Sequence, residues 1–173
     1  MRGSSTGGWQ LPYFDEVFGK AVMDAMSASG GFLLGRRTYE IFAAYWPSAP
    51  EDELAARMNS MPKFVASTTL QEPLEWENST LLEGDIGEEV ANLKEQPGED
   101  LLVIGSGDLV QTLMQHGLVD EFRLMVHPLV LGSGKRLFRD GSPKTPLILV
   151  DTTTSGTGVL ILTYQPAEED SKG

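Results

Sequence analysis

The stretch from Leu101 to Val110, with the sequence LLVIGSGDLV, limits the possible folds of this chain most strongly. A short apolar run ends at Ile104, a turn with two glycines follows, and Leu109 and Leu113 then begin an amphipathic helical pattern. The N–H groups at a helix start have no partners within the helix, and glycine lets a ligand approach them closely. The stretch therefore predicts a strand-to-helix turn that suits a phosphate group.

Strands and helices alternate along the rest of the chain. Helical patterns begin near Phe14, Arg36, Pro50 and Asp85, and short apolar runs predict strands at 32–34, 63–66, 79–82 and 120–127. Two last runs, at 147–153 and 159–164, flank a glycine-rich turn and predict an antiparallel hairpin. Such alternation is typical of a mainly parallel sheet with helices on both faces. We therefore predict an α/β fold that ends in an antiparallel hairpin.

Neither an internal repeat nor an interdomain linker is visible in the sequence. We predict one domain over residues 9–166, preceded by a flexible lead-in at 1–8 and followed by a charged tail at 167–173.

Composition excludes several classes of function. The formal net charge of −12 argues against nucleic-acid binding, which needs clustered lysines and arginines. The chain has no cysteine, which fits a reducing, cytoplasmic compartment, and no apolar run long enough to span a membrane. Its two histidines, His116 and His127, lack metal-ligand spacing, so we predict no metal site.

Three turns follow strands of the predicted parallel sheet. They are Gly35-Arg36-Arg37-Thr38, Ser67-Thr68-Thr69 and Gly105-Ser106-Gly107. Ligands bind beyond the carboxyl ends of the strands in such sheets. Two adjacent arginines at a helix start suit an anion, and hydroxyls stand where an NAD-specific domain would place an acid. The three turns together favour NADPH over NADH.

Each of these signals also has a simpler explanation. The glycines at 105 and 107 suit any tight turn, and the arginine pair suits a solvated surface rich in acids. Ser67 is also a common turn cap, and Asp108 is a residue that the helix dipole favours at a helix start. The NADPH prediction therefore rests on the three turns sharing one edge of the sheet.

The motifs together resemble the dihydrofolate-reductase-like superfamily. The closest resemblance is to stand-alone bacterial proteins related to the reductase domain of the bifunctional riboflavin-biosynthesis deaminase–reductase. It covers about Trp9 to Pro166 and is carried by residues 33–47, LLVIGSGDLVQTLM at 101–114, and LVDEFRLMVHPLVLGSGKRLF at 118–138. The resemblance implies a dihydrofolate-reductase-like three-layer sandwich, NADPH as the cofactor, and a homodimer.

The resemblance also implies which residues contact the cofactor. The phosphates would be held by Gly35, Arg36, Arg37, Thr38, Ser67 and Thr68. The pyrophosphate and nicotinamide end would be approached by Gly105, Ser106, Gly107, Asp108 and Leu109.

Two departures from the family pattern concern the reactive end of the site. The central first strand that family members carry upstream of Gly8-Trp9 is not recognisable, and in the family it helps to enclose the nicotinamide. The position of the folate reductases' helix acid falls at Phe14, with Asp15 one residue away and turned by about 100°. We therefore do not predict folate reduction, and no general acid is assigned.

The sequence predicts an NADPH-dependent reductase that transfers a hydride to a small pterin- or pyrimidine-like substrate. Phe42 and Tyr45, on the helix after the arginine turn, are the candidate substrate-binding residues, with core packing as the other explanation. The alternative is a non-catalytic nucleotide-binding or interaction protein that keeps the fold. A third possibility is an acidic dimeric scaffold without a ligand.

Overall fold

The computed structural model describes residues 8–167 of the chain. The predicted lead-in and tail therefore lie almost wholly outside the described residues, at 1–7 and 168–173. The chain forms two compact units, one from residues 24–118 and 135–143 and the other from the remaining segments. The single domain over residues 9–166 stays a prediction.

The larger unit contains a parallel sheet of four strands in the order β3-β2-β1-β4. These strands are β1 (Ser29–Gly35), β2 (Lys63–Ala66), β3 (Ser79–Leu82) and β4 (Asp100–Val103). Its helices are α2 (Arg36–Tyr45), α3 (Glu53–Ser60), α4 (Ile86–Glu95) and α5 (Gly107–Gln115), with a short 3-10 turn at Trp46–Ser48. This arrangement confirms the predicted parallel sheet.

Strand β1 lies at the centre of this unit's core. Phe32, Leu33 and Leu34 are all almost completely buried. Successive strand residues point to opposite faces, so the burial of three in a row means that both faces of β1 are covered. The apolar run in the sequence therefore marks a strand with no solvent-exposed face.

The smaller unit contains an antiparallel sheet of three strands in the order β5-β7-β6. The strands are β5 (Phe122–Val126), β6 (Leu147–Thr154) and β7 (Leu160–Pro166), and helix α1 (Glu16–Ser27) begins in this unit after a 3-10 turn at Leu11–Tyr13. The predicted hairpin is confirmed as β6–β7. Strand β5 also pairs with β7, a long-range antiparallel partner that apolar periodicity does not reveal.

The core of the smaller unit joins the start of α1 to the antiparallel sheet. Phe18, Val159 and Ile161 are buried together. The ring of His127 packs edge-on against Phe18 and against Trp9 and Tyr13. His127 is therefore part of an aromatic cluster in the core of this unit.

None of the helices in residues 8–167 is both long and apolar enough to cross a membrane.

Lys63, at the start of β2, is completely buried although strands rarely bury a lysine. Its Nζ donates hydrogen bonds to the carbonyl oxygens of Asn59 at 2.7 Å and Glu77 at 3.0 Å, and lies 4.2 Å from the centre of the Trp76 ring. Burial lowers the pKa of Lys63 to about 8, an effect that the charge of Glu77 partly opposes. The ammonium group thus anchors the loop before β3 to helix α3.

This burial predicts a pH-dependent stability. The folded state releases the Lys63 proton at a lower pH than the unfolded state, so the free energy of unfolding should rise as pH increases from about 8 towards 10.5. For one titrating group, the free energy of unfolding rises by at most about 1.4 kcal/mol per pH unit. Urea denaturation across this pH range should show that the free energy of unfolding rises in wild type. The rise should be absent in Lys63→Met. Lys144→Met, at an exposed lysine, serves as the control; equal slopes in all three proteins would contradict the prediction.

Candidate functional site

The three predicted turns lie at one edge of the parallel sheet. Strand β1 is the neighbour of both β2 and β4, and all three run in the same direction. Their carboxyl ends therefore lie side by side, with Gly35 paired in register with Ala66. The turns that begin at residues 35, 67 and 105 follow directly from these ends. The shared edge on which the sequence argument depended is thus present.

Ser106 joins two of these turns directly. Its Oγ accepts a hydrogen bond from the Gly35 N–H at 2.8 Å and donates one to Thr38 Oγ1, also at 2.8 Å. Ser106 has φ 61° and ψ 57°, in the left-handed region that non-glycine residues seldom adopt. The preceding Gly105 has φ 71°. Two consecutive left-handed residues turn the chain sharply, so that the Ser106 hydroxyl meets the start of α2.

The starts of α2 and α5 lack side-chain caps. Gly35 has no side chain to offer, and Ser106 directs its hydroxyl to the other turn instead of to its own helix. In contrast, Asp52 and Asp85 cap α3 and α4 by accepting bonds from main-chain N–H groups. The first-turn N–H groups of α2 and α5 therefore keep their capacity to bind an acceptor such as a phosphate oxygen.

The arginine turn is exposed at the start of α2. Arg36 Nη1 forms an i,i+4 ion pair with Glu40 at 3.0 Å, with both side chains more than 40% exposed. Such a surface pair contributes little to stability, so Arg36 can exchange Glu40 for another anion at small cost. Arg37 makes no ion pair within residues 8–167, and it lies near enough to Asp108 to lower the pKa of that carboxyl.

Two cations near the start of α5, Lys135 and Arg139, were not predicted from the sequence as site residues. Arg139 Nη1 forms an ion pair with Asp108 Oδ1, with a separation of 2.5 Å. The pKa of Asp108 is lowered chiefly by this hydrogen bond and by the charge of Arg139, and further by Lys135 and Arg37. The available signal was the cluster of cations at 135–139 in a chain with only 13 lysines and arginines.

Ser67 and Thr68 follow β2 as predicted. Ser67 Oγ accepts hydrogen bonds from the N–H groups of Thr69 at 3.1 Å and Leu70 at 3.0 Å, so it caps its own turn. Ser67 Oγ also lies 3.5 Å from Thr69 Oγ1, a long contact that leaves the Ser67 proton available to a closer acceptor. The Thr68 side chain is exposed. Turn capping and a ligand contact are therefore compatible at this position.

The remaining predicted residues differ in their accessibility. The Leu109 side chain is buried, so only its main chain is able to face a ligand. Phe42 is half-buried and packs edge-on against Trp46 and Trp76. Tyr45 is 57% exposed. Tyr45 is therefore the more accessible of the two predicted substrate-binding residues, and the Phe42 ring is partly covered by the two tryptophans.

Asp15, which belongs to the smaller unit, is engaged by main-chain groups. Its carboxylate accepts bonds from the N–H groups of Phe18 at 2.9 Å and Thr157 at 3.2 Å. The Phe18 bond is the main cause of a lowered pKa for Asp15. The group therefore holds α1 to the β6–β7 turn as a carboxylate, and it does not have the raised pKa of a proton donor.

The Ser106 bridge predicts a stability difference between two variants. Ser106→Ala leaves the Gly35 N–H without its acceptor, which should cost about 1–2 kcal/mol. Ser106→Gly loses the same bonds but relieves the left-handed backbone, an effect of about 1 kcal/mol. Thermal denaturation should therefore rank wild type above the glycine variant and the glycine variant above the alanine variant. An alanine variant as stable as wild type would show that the bridge does not stabilise the edge.

Comparison of the sequence with known families and proteins gives a consistent result. The model of the RibD C-terminal domain family matches residues 3–161. An uncharacterized protein of Bacillus subtilis, YyaP, is 37% identical over 146 residues, covering 82% of this chain and 76% of its own length. A second uncharacterized B. subtilis protein, YwjB, is 30% identical over 127 residues, covering 73% and 68%.

Solved structures share the fold at lower identity. A Shewanella sp. PV-4 protein named for riboflavin biosynthesis has a TM-score of 0.70 at 23% identity, over 90% of this chain and 81% of its own. A pyrimidine reductase-like protein of Corynebacterium diphtheriae has a TM-score of 0.63 at 12% identity, over 91% and 84%. Acinetobacter baumannii RibD has a TM-score of 0.57 at 16% identity, over 89% of this chain and 51% of its own.

These likenesses agree with the four-stranded parallel sheet and the separate antiparallel sheet, and they confirm the dihydrofolate-reductase-like α/β fold. The chain belongs to the RibD C-terminal domain family.

Proposed function

We propose that this protein is an NADPH-dependent reductase that transfers a hydride to a small pterin- or pyrimidine-like substrate. The family is one of riboflavin-pathway-like reductases, which supports the reaction class. The observation that carries the cofactor assignment is the meeting of three strand ends, where Ser106 joins the turn after β4 to the arginine turn after β1.

The chemistry of this edge fits a dinucleotide carrying an extra phosphate. Two uncapped helix starts offer main-chain N–H donors, and Arg36 and Arg37 add charge at one of them. An added Cβ at Gly35 would lie 3.1 Å from Ser106 Oγ, so a side chain there would crowd the hydroxyl and push the two turns slightly apart. Ser67 and Thr68 offer hydroxyls where an acid would repel a 2′-phosphate.

Each residue has a role that follows from its position. Arg36 and Arg37 would bind the 2′-phosphate, and the N–H groups at the starts of α2 and α5 would bind the pyrophosphate oxygens. Thr38 and Ser106 would hold these two helix starts at a constant separation through their shared hydrogen bond. NADPH, when bound, supplies the hydride, and the protein orients it against the acceptor.

Fewer side-chain contacts support the assignment of a substrate-binding residue. Tyr45 presents an exposed ring on α2, the helix that begins at the arginine turn, and packs edge-on against Trp46 with ring centres 5.0 Å apart. A flat heterocycle is a suitable partner for an exposed aromatic ring. We assign no proton donor, since Asp15 is held as a main-chain cap.

We also propose that the protein forms a homodimer through the edge strand β6. Ile148, Leu149 and Val150 are 56%, 48% and 53% exposed, so consecutive apolar residues are accessible on both sides of this strand. An exposed apolar edge strand is a pairing surface that monomeric proteins usually avoid.

The cofactor proposal is tested by titrating NADPH and NADH against the purified protein. We expect NADPH to bind more tightly, and Arg36→Ala combined with Arg37→Ala to weaken NADPH binding by at least about tenfold, or ~1.4 kcal/mol. The same variant should leave NADH binding nearly unchanged, because NADH lacks the 2′-phosphate. Arg123→Ala, at an exposed arginine in the smaller unit, is the matched control.

The outcomes separate the candidate functions. If neither dinucleotide binds below about millimolar concentration, which corresponds to ~4 kcal/mol, the cofactor proposal is wrong. If NADPH keeps its advantage in the double variant, the phosphate assignment is wrong. NADPH binding without oxidation by any acceptor in a pterin and pyrimidine panel would favour the alternative, a nucleotide-binding protein that keeps the fold without turnover.

The dimer proposal is tested by analytical ultracentrifugation. We expect a dimer in wild type and a shift towards monomer in Val150→Asp, because a charge in an apolar interface is costly. Ile41→Asp, at an apolar residue that is 66% exposed on α2, is the control and should remain dimeric. A monomeric wild type, or an unchanged Val150→Asp, would contradict this assignment.

A further inference from the structure

Residues 137–142 are held against α5 by side-chain hydrogen bonds and one ion pair. Gln111 Nε2 donates a hydrogen bond to the Leu137 carbonyl oxygen, and Ser142 Oγ donates one to Gln111 Oε1 at 2.6 Å. Arg139 contributes the ion pair with Asp108, and its own N–H donates to Ser142 Oγ at 3.0 Å. Asp108 and Gln111 are three residues apart and so share one face of the helix. We call residues 137–142 the strap.

The strap places the Arg139 guanidinium beside the first residue of α5. A Cβ added at Gly107 would lie 3.3 Å from Arg139 Nη2. The absence of a side chain at residue 107 therefore leaves room for the guanidinium at the helix start. The charges of Lys135 and Arg37 add to that of Arg139 in lowering the pKa of Asp108, so the start of α5 lies in a locally positive field.

The Asp108 carboxylate occupies only part of the guanidinium's binding capacity. The ion pair joins one guanidinium nitrogen, Nη1, to one carboxylate oxygen, Oδ1. A guanidinium carries five N–H donors arranged to bind two oxygens of one anion. The ion pair is partly exposed, with Arg139 at 35% and Asp108 at 73%, so solvent weakens it. A phosphate with more charge and more oxygens would compete well with Asp108 for this group.

We propose that Arg139 is a phosphate-binding residue of the dinucleotide site, positioned by Asp108, and that a phosphate of the bound cofactor replaces part of the Asp108 contact with its guanidinium. This inference rests on the proposed NADPH function. Asp108 positions Arg139 through a hydrogen bond and at the same time opposes the cofactor through its negative charge. The two residues therefore have opposite effects on cofactor affinity, although they form one ion pair.

The opposite effects of Arg139 and Asp108 on NADPH affinity allow the proposal to be tested. Arg139→Gln should weaken NADPH binding by about five- to tenfold, or ~1–1.4 kcal/mol, and reduce its dependence on salt. Asp108→Asn keeps the side-chain oxygen that accepts from Arg139 but removes the charge, so it should tighten NADPH binding by about three- to fivefold, or ~0.6–1 kcal/mol. Dissociation constants are measured by isothermal titration calorimetry at low and moderate salt. Thermal denaturation without ligand reports whether either change loosens the strap.

A purely structural ion pair would behave differently. Both variants would then lower the melting temperature and weaken NADPH binding together, and this result would overturn the inference. An unchanged dissociation constant in Arg139→Gln would also overturn it while leaving the NADPH proposal intact. Ser142→Ala is the matched control, because it loosens the strap without changing a charge. Its dissociation constant for NADPH reports the effect of loosening alone. If the wild-type protein binds no NADPH, the proposed function fails and the inference fails with it.

Discussion

The hydroxyl group of Ser106 is the contact on which the candidate site most depends. It lies between the turns after β1 and β4, accepting from the Gly35 N–H and donating to Thr38. The group reaches this position only because Gly105 and Ser106 both adopt left-handed backbone conformations. The same contact prevents Ser106 from capping α5. The hydrogen bonds of Ser106 to the arginine turn and the missing side-chain cap of α5 therefore have a single physical cause.

The parallel sheet supplies the framework for this contact. Neighbouring parallel strands end at the same edge, so turns distant in sequence become neighbours in space. Buried β1 stands between the other two strands and has both faces covered, which leaves its carboxyl end well defined. On the amino-terminal side of β2, Lys63 secures the sheet by donating to two main-chain oxygens. A rigid framework lets a few exposed side chains at the opposite edge define a site.

Charge at this edge is balanced locally in a strongly acidic protein. Arg36 is paired with Glu40 and Arg139 with Asp108, both through partly exposed ion pairs. Such pairs hold long side chains in place at little energetic cost, and another anion can displace the carboxylate readily. The phosphate binding proposed for this chain therefore depends on where a few cations are held, because the field of a protein with net charge −12 opposes an anion.

The sequence by itself determined the alternation of strands and helices, the closing hairpin and the three polar turns, because local periodicity and glycine placement report on local structure. It also predicted that residues 35–38 and 105–109 lie at the same end of the sheet, because both segments follow parallel strands. Only the tertiary structure decided that Ser106 binds across to Gly35, that Lys63 is buried against Trp76, and that Arg139 reaches Asp108. These contacts join residues far apart in the chain. Their geometry depends on strand order and side-chain direction, which no local pattern encodes.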